Sequence, residues 1–256
     1  MSTTAWVRFQ HKGSTGFGTL QDGQISVFEG DMFASAVATG RTLALDQVAL
    51  LTPVVPGKML ALWNNFGQLA AKLGLSAPPE PLYFIKAPNT YLAPGGTIRK
   101  PRADVKVVFE GELGIVIGKT ASGVSEGDAL AHVFGYTCAN DVTAVDVLQR
   151  DPTFPQWTRA KGYDTFCPLG PVVATGLDPA TLSVRTTLNG DLRQDFPISD
   201  MRFSVAQLVS LISQDLTLYP GDVILSGTSV GVGSMKPGSR VEVDIAGIGK
   251  LANRYE

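Results

Sequence analysis

Val107-Val108-Phe109-Glu110-Gly111-Glu112-Leu113-Gly114-Ile115-Val116-Ile117 is an apolar run interrupted by two acids. Flanks this rich in Val and Ile predict a buried or half-buried strand. Side chains at i and i+2 of a strand leave the same face, so Glu110 and Glu112 are aimed into one small volume. Like charges at that distance repel, and removal from water strengthens the repulsion. Something positive belongs between them, and a divalent metal ion is the simplest answer. An enzyme fits this stretch better than a bland globular domain.

At 256 residues the chain is one large domain, or a small domain beside a larger one. Hydrophobic residues make up 44% and charged residues 17%, enough apolar material for a substantial core. The net charge of −2 carries no long basic or acidic run, so neither a nucleic-acid surface nor a polybasic membrane patch is expected. No apolar stretch reaches the length of a membrane span, and the N-terminus lacks the pattern of a signal peptide. A soluble, cytoplasmic protein is the expectation. Cys138 and Cys167 have no metal-type spacing, which argues against a thiolate zinc site or a disulfide framework. Cys138 reads as a small core residue. The only histidines are His11 and His132, so the usual general base is scarce.

Working outward along the chain, Trp6 to Gln10 alternates, and Asp22-Gly23 signals a hairpin. Pro53 and Pro56-Gly57 mark an expected boundary between a small N-terminal β unit, residues 1–55, and a larger unit, residues 56–256. Met59 to Trp63 reads as a strand. Asn64 to Gly74 reads as a short helix with an Asn cap and a Gly stop. Leu82 to Lys86 resumes as a strand. Ser125-Glu126-Gly127-Asp128 resembles a capping box opening a helix through His132. Asn189-Gly190 marks a second hairpin. Ser204 caps a helix whose Val205, Leu208, Val209 and Ile212 share a face. Val241, Val243 and Ile245 alternate with acids as a half-exposed strand. The total is mainly β with few helices, an α+β chain without regular strand–helix alternation. A mixed β-roll or distorted barrel fits better than a doubly wound sheet.

Four polar residues stand out in apolar or tight-turn settings: Glu110, Glu112, Asp141 and Lys161. Three carboxylates suit a hard cation, Mg2+, Mn2+ or Ca2+, whereas zinc would want His or Cys. Lys161 offsets the excess negative charge or binds a carboxylate substrate. Each residue has a plainer reading when taken alone. Asp141 is then a turn residue, Lys161 a surface charge, and Gly227-Thr228 a loop.

The order of the motifs adds a resemblance. Phe84-Ile85-Lys86, Glu110-Gly111-Glu112-Leu113, Gly135-Tyr136-Thr137, Asn140-Asp141-Val142, Lys161-Gly162-Tyr163-Asp164-Thr165-Phe166, Tyr219-Pro220-Gly221-Asp222 and Gly227-Thr228 follow one another as in the fumarylacetoacetate hydrolase superfamily. The chain resembles that family from Lys58 to Asn253, with the acylpyruvase and hydroxymuconate isomerase–decarboxylase branch as the nearest match. The resemblance implies a mixed β-roll, a homodimer and Mg2+ or Mn2+. It assigns Glu110, Glu112 and Asp141 to the metal, Lys161 to substrate or developing charge, and Gly227 and Thr228 to a substrate carboxylate. It implies a 2-oxo or 1,3-dicarbonyl acid as substrate, reacting through a stabilised enolate.

Two departures bear on the reaction. Hydrolases of the family carry a His and a Glu on a short lid helix, and the matching positions here are Leu69 and Lys72. Val145-Asp146 stands where the family has an arginine followed by an acid, so a shorter, less acidic or more hydrophobic distal group is expected on the substrate. Hydrolysis of a C–C bond in an acylpyruvate-type acid is the first expectation. Isomerisation, tautomerisation or decarboxylation of a hydroxymuconate- or oxaloacetate-type acid is the second. A non-catalytic oxo-acid-binding protein is the third.

Overall fold

The computed structural model describes residues 3–102 and 104–256. Strands dominate and gather into three sheets. The widest runs in the order Val37–Ala44, Gln24–Glu29, Ser14–Gln21, Thr4–His11, Cys167–Thr175, Val133–Asn140, Gly111–Ile117, Val223–Leu225, Met59–Trp63, Leu82–Lys86. Among the described residues no ladder joins its two edges, so it is an open sheet and not a closed barrel. A second sheet orders Asp191–Pro197, Ser183–Leu188, Ser239–Ile245, Gly249–Tyr255 and Thr97–Ile98. A third, small one orders Thr143–Ala144, Val107–Phe109 and Gly233–Ser234.

Local sequence explains much of this. Asp22 and Gly23 both take positive φ, 49° and 75°, as a two-residue hairpin turn requires. Asn189 and Gly190 do the same at 54° and 90°. Val241, Val243 and Ile245 are buried while the acids between them are partly exposed. The Ser204 hydroxyl accepts the Gln207 N–H and the Gln207 side chain returns to the Ser204 N–H, opening the helix Val205–Asp215. Val205, Leu208, Val209 and Ile212 of that helix are buried in one cluster with Leu113, Ile115, Ile117, Val184 and Phe196. The same cluster takes in Val7, Phe9, Ile25 and Val27 from the N-terminal strands. Gly111–Ile117 is buried along its whole length, which is why it reads as an almost continuous apolar run. Ser125 caps Glu126–Ala129, and the helix tightens into a 3-10 turn over Leu130–His132.

The helix after Met59–Trp63 departs from expectation. It spans Gly67–Leu73, and Gly74 ends it in the left-handed region as expected, but neither Asn64 nor Asn65 caps it. Their amides go elsewhere, Asn64 to the Ser76 carbonyl and Asn65 to the Ser226 carbonyl. The Gln68 N–H is instead received by Asp200, 132 residues away. No helix among the described residues is long and apolar enough to cross a membrane.

Candidate metal centre

Glu110 lies at the point where the chain changes sheets. Val107–Phe109 belongs to the small sheet and Gly111–Ile117 to the wide one, so the single strand expected from the apolar run is interrupted at Glu110. The break is held firmly. The Glu110 N–H donates to the Asn140 side-chain oxygen at 2.9 Å, and the Asp141 N–H donates to the Glu110 carbonyl at 2.9 Å. Asn140 ends the strand Val133–Asn140, which pairs with Gly111–Ile117 in antiparallel register. That pairing delivers Asp141 to the two glutamates. Carboxylate oxygens of Glu110, Glu112 and Asp141 all come within 4.8 Å of one another. The convergence expected from their spacing is present, although a sheet switch and not a continuous strand produces it.

Lys161, the last residue of the helix Trp157–Lys161, reaches into this group. Its Nζ is 2.8 Å from Glu110 Oε2 and 2.5 Å from Asp141 Oδ2. Thr143 donates its hydroxyl to Glu110 Oε1 at 2.7 Å. Gly227 donates its N–H to Glu112 Oε2 at 2.8 Å, and the Thr228 hydroxyl donates to the Gly111 carbonyl at 2.8 Å. All six residues singled out in the sequence therefore meet in one place. A seventh and an eighth were not singled out. Lys86, 1% exposed, lies 2.8 Å from Asp141 Oδ1 and donates to the carbonyls of Lys161 at 2.6 Å and Phe166 at 2.9 Å. Gln194 accepts the Gly111 N–H at 3.0 Å. The signal for Lys86 was a lysine closing an apolar strand. Gln194 gave none, since it stands among Asp191, Arg193 and Asp195 and reads as surface.

The electrostatics follow from burial and charge count. Burial, with the carboxylates of Asp141 and Glu110 beside it, raises the Glu112 carboxyl well above its ordinary range. Burial alone would also raise Asp141, but the ammonium groups of Lys161 and Lys86 outweigh it and hold Asp141 low. Burial would lower Lys161, but Asp141, Glu110 and Glu112 outweigh it and hold Lys161 protonated. Three carboxylates face two ammonium groups, and Glu112 Oε1 is buried without any hydrogen-bond partner. A buried oxygen left without a donor is costly. A hard divalent cation satisfies both the lone oxygen and the surplus negative charge, so the residues fit such an ion. The donor set is all oxygen, which favours Mg2+, Mn2+ or Ca2+ over zinc. Cys167 does not change this, because burial first of all pushes its thiol up to about 12.

The remaining titratable candidates lie outside the centre. His132 points its Nδ1 at the Thr120 carbonyl, 2.9 Å away. His11 closes the first N-terminal strand beside the turn to Ser14. The helix Gly67–Leu73 contains neither a histidine nor an acid, and its Lys72 is exposed. Asp146 receives the Lys106 N–H at 2.6 Å, so that carboxylate is committed to the backbone.

Comparison with known proteins identifies the family that the chain is similar to. Residues 58–256 match the family model described as fumarylacetoacetate (FAA) hydrolase C-terminal, and residues 5–53 match one described as Rv2993c-like, N-terminal. A Salmonella dublin protein named 4-hydroxyphenylacetate degradation bifunctional isomerase/decarboxylase is 39% identical, over 77% of this chain and 46% of that protein. The crystal structure of a 5-carboxymethyl-2-hydroxymuconate delta-isomerase from Mycobacterium smegmatis superimposes with a TM-score of 0.91 at 37% identity, covering 98% of both chains. A fumarylacetoacetate hydrolase from Exiguobacterium antarcticum superimposes at 0.84 and 32% identity, covering 99% of both. With one family model spanning the entire region that builds the acidic centre, the chain belongs to the fumarylacetoacetate hydrolase family.

Proposed function

We propose that this chain is a divalent-cation-dependent isomerase of an unsaturated 2-oxo carboxylic acid, interconverting a 2-hydroxy-dienoate with its 2-oxo-enoate. One observation carries the choice within the family. The carboxylate and lysine centre is complete, while the helix Gly67–Leu73 offers no group able to activate water. That is why the proposal departs from the hydrolysis expected first. The names of the Salmonella and Mycobacterium smegmatis proteins support it.

The chemistry asks for little beyond this inventory. In the forward direction one O–H bond breaks, one C–H bond forms and two double bonds shift, with no water consumed. Held by Glu110, Glu112 and Asp141, Mg2+ or Mn2+ supplies Lewis-acid charge for enolate chemistry at a 2-oxo group. Lys161 holds a proton at Nζ within the centre and presents it next to the carboxylates. Thr143 and Gly227 fix the two glutamate side chains, and Asn140 fixes the Glu110 backbone, so the centre is organised before substrate arrives. Trp63, Phe84 and Trp157 form a partly exposed aromatic run, with ring centres 5.3 and 5.1 Å apart, that ends against Lys161. That run suits an apolar or conjugated distal group. The homodimer implied by the resemblance belongs to the same proposal and is read by light scattering.

The test is an ultraviolet assay with a hydroxymuconate-type dienol, on protein stripped with EDTA and then supplied with Mg2+ or Mn2+. The expected result is a shifted chromophore at constant mass that depends on the added ion. Pyruvate released from an acylpyruvate would return the reading to hydrolysis, and CO2 release would make it a decarboxylase. Turnover untouched by EDTA would sink the cation.

A further inference from the structure

Gln194 lies on the strand Asp191–Pro197, where only Gln194 and Phe196 are buried. A glutamine turned into an apolar interior is costly unless its amide is fully bonded. Here both ends are used, and two of the partners, Gly111 and Thr228, belong to the centre. Its Oε1 accepts the Gly111 N–H at 3.0 Å, and its Nε2 donates to Thr228 Oγ1 at 2.9 Å and to the Ser229 carbonyl at 3.2 Å. The orientation of the amide is settled by chemistry, because a backbone N–H can face only an oxygen. Thr228 closes the circuit by donating its hydroxyl to the Gly111 carbonyl. A hydroxyl has one proton, and this one is spent on the protein.

The seat under this ring is equally specific. Gln194 and Thr186 are direct cross-strand partners, and a Cβ at residue 111 would meet Thr186 Oγ1 at 2.0 Å and Gln194 Oε1 at 3.1 Å. Only glycine allows so close an approach. Gly111 separates Glu110 from Glu112, and the neighbouring Gly227 N–H holds Glu112.

From this geometry we infer that Gln194 is a positioning residue that locks the Gly227-Thr228 loop onto the Glu110-Gly111-Glu112 segment, with the Thr228 hydroxyl as part of that lock. The inference rests on the metal-centre reading above. It adds a structural task for Thr228 to the carboxylate contact implied by the resemblance.

The test uses the full chain, stripped with EDTA, and calorimetric titration with Mn2+ alone. Gln194→Leu and Thr228→Val each weaken Mn2+ binding about 10- to 100-fold, the range for groups that orient metal ligands. Thr228→Ser restores it. The double variant is no weaker than the worse single one, because both break the same ring. A Thr228→Val protein with unchanged Mn2+ affinity, and only a raised KM, would overturn the inference. Should Gln194→Leu fail to fold, Thr228→Val and its serine rescue decide alone. If the wild-type chain binds no Mn2+, the metal-centre reading falls, and the lock is judged separately by amide exchange at Gly111. Gln194→Leu then speeds that exchange, and an unchanged rate overturns the lock.

Discussion

Lys86 shows what one residue contributes to the centre. Its ammonium is buried, faces Asp141 and holds the carbonyls of Lys161 and Phe166. Lys86→Met removes the charge and leaves two carbonyls and half a carboxylate without partners. Breaking a buried pair from one side costs about 3–5 kcal/mol. Chemical denaturation is expected to show that loss, and added Mn2+ is expected to recover part of it by binding the folded form. A midpoint equal to wild type would mean that Lys86 is not the counter-charge. The contrast with Glu110 and Glu112 explains what the sequence reveals. Two acids in an apolar run announce a conflict by themselves, whereas a lysine after Ile85 looks like the exposed end of a strand. Its burial comes from the helix Trp157–Lys161 and the segment around Phe166, both more than 70 residues away. Gln194 is hidden for the same reason, since its partners Gly111 and Thr228 are distant in the chain.

Elements differ in how much of their stability is local. Val205–Asp215 carries its own capping box and apolar face, and both are legible in the sequence. Gly67–Leu73 is only two turns long, below what holds a helix in water without help. Its help is remote. Asp200 receives the Gln68 N–H at 3.0 Å, and Asn64 ties the following loop at Ser76. The expected asparagine cap fails because Asn65 is already engaged, bonding the Ser226 carbonyl and receiving the Phe203 N–H. Asp200→Ala therefore acts as a lost cap of about 1 kcal/mol, placed on another element. Hydrogen exchange should quicken about fivefold across residues 67–73 and stay unchanged in residues 205–215. Equal change in both helices would point to general destabilisation. The interruption at Glu110 belongs to the same scale. Apolar periodicity reports that a segment is extended and buried, but not which sheet each half joins, because the ladders are made with residues far along the chain.

Across the whole molecule, strand order joins the N-terminal strands to the middle of the chain. Thr4–His11 lies between Ser14–Gln21 and Cys167–Thr175, so the N-terminal hairpins extend the sheet that carries Glu112. Trp6 packs against Phe28 at 5.1 Å on one side and Phe134 at 6.0 Å on the other. Val7 and Phe9 share their buried cluster with Leu60, Leu113 and Ile115. Turn signals and prolines make the N-terminal unit visible in the sequence, yet they say nothing of the edge it docks on. Because hydrogen bonds and core both cross that junction, the chain is expected to unfold as one body. Phe9→Ala tests this from the N-terminal side. Emptying that buried site costs about 3–5 kcal/mol. Were the N-terminal unit independent, the loss would appear as an early, separate step, with the rest of the chain unfolding where it did before. With a shared core, the whole curve moves to lower denaturant with an unchanged slope. Tryptophan fluorescence reports Trp6 together with Trp63 and Trp157, while divalent-cation binding reports the acidic centre alone. Coincident loss of both signals in the variant supports one cooperative body, and cation binding that outlasts the first fluorescence change would divide the chain into two.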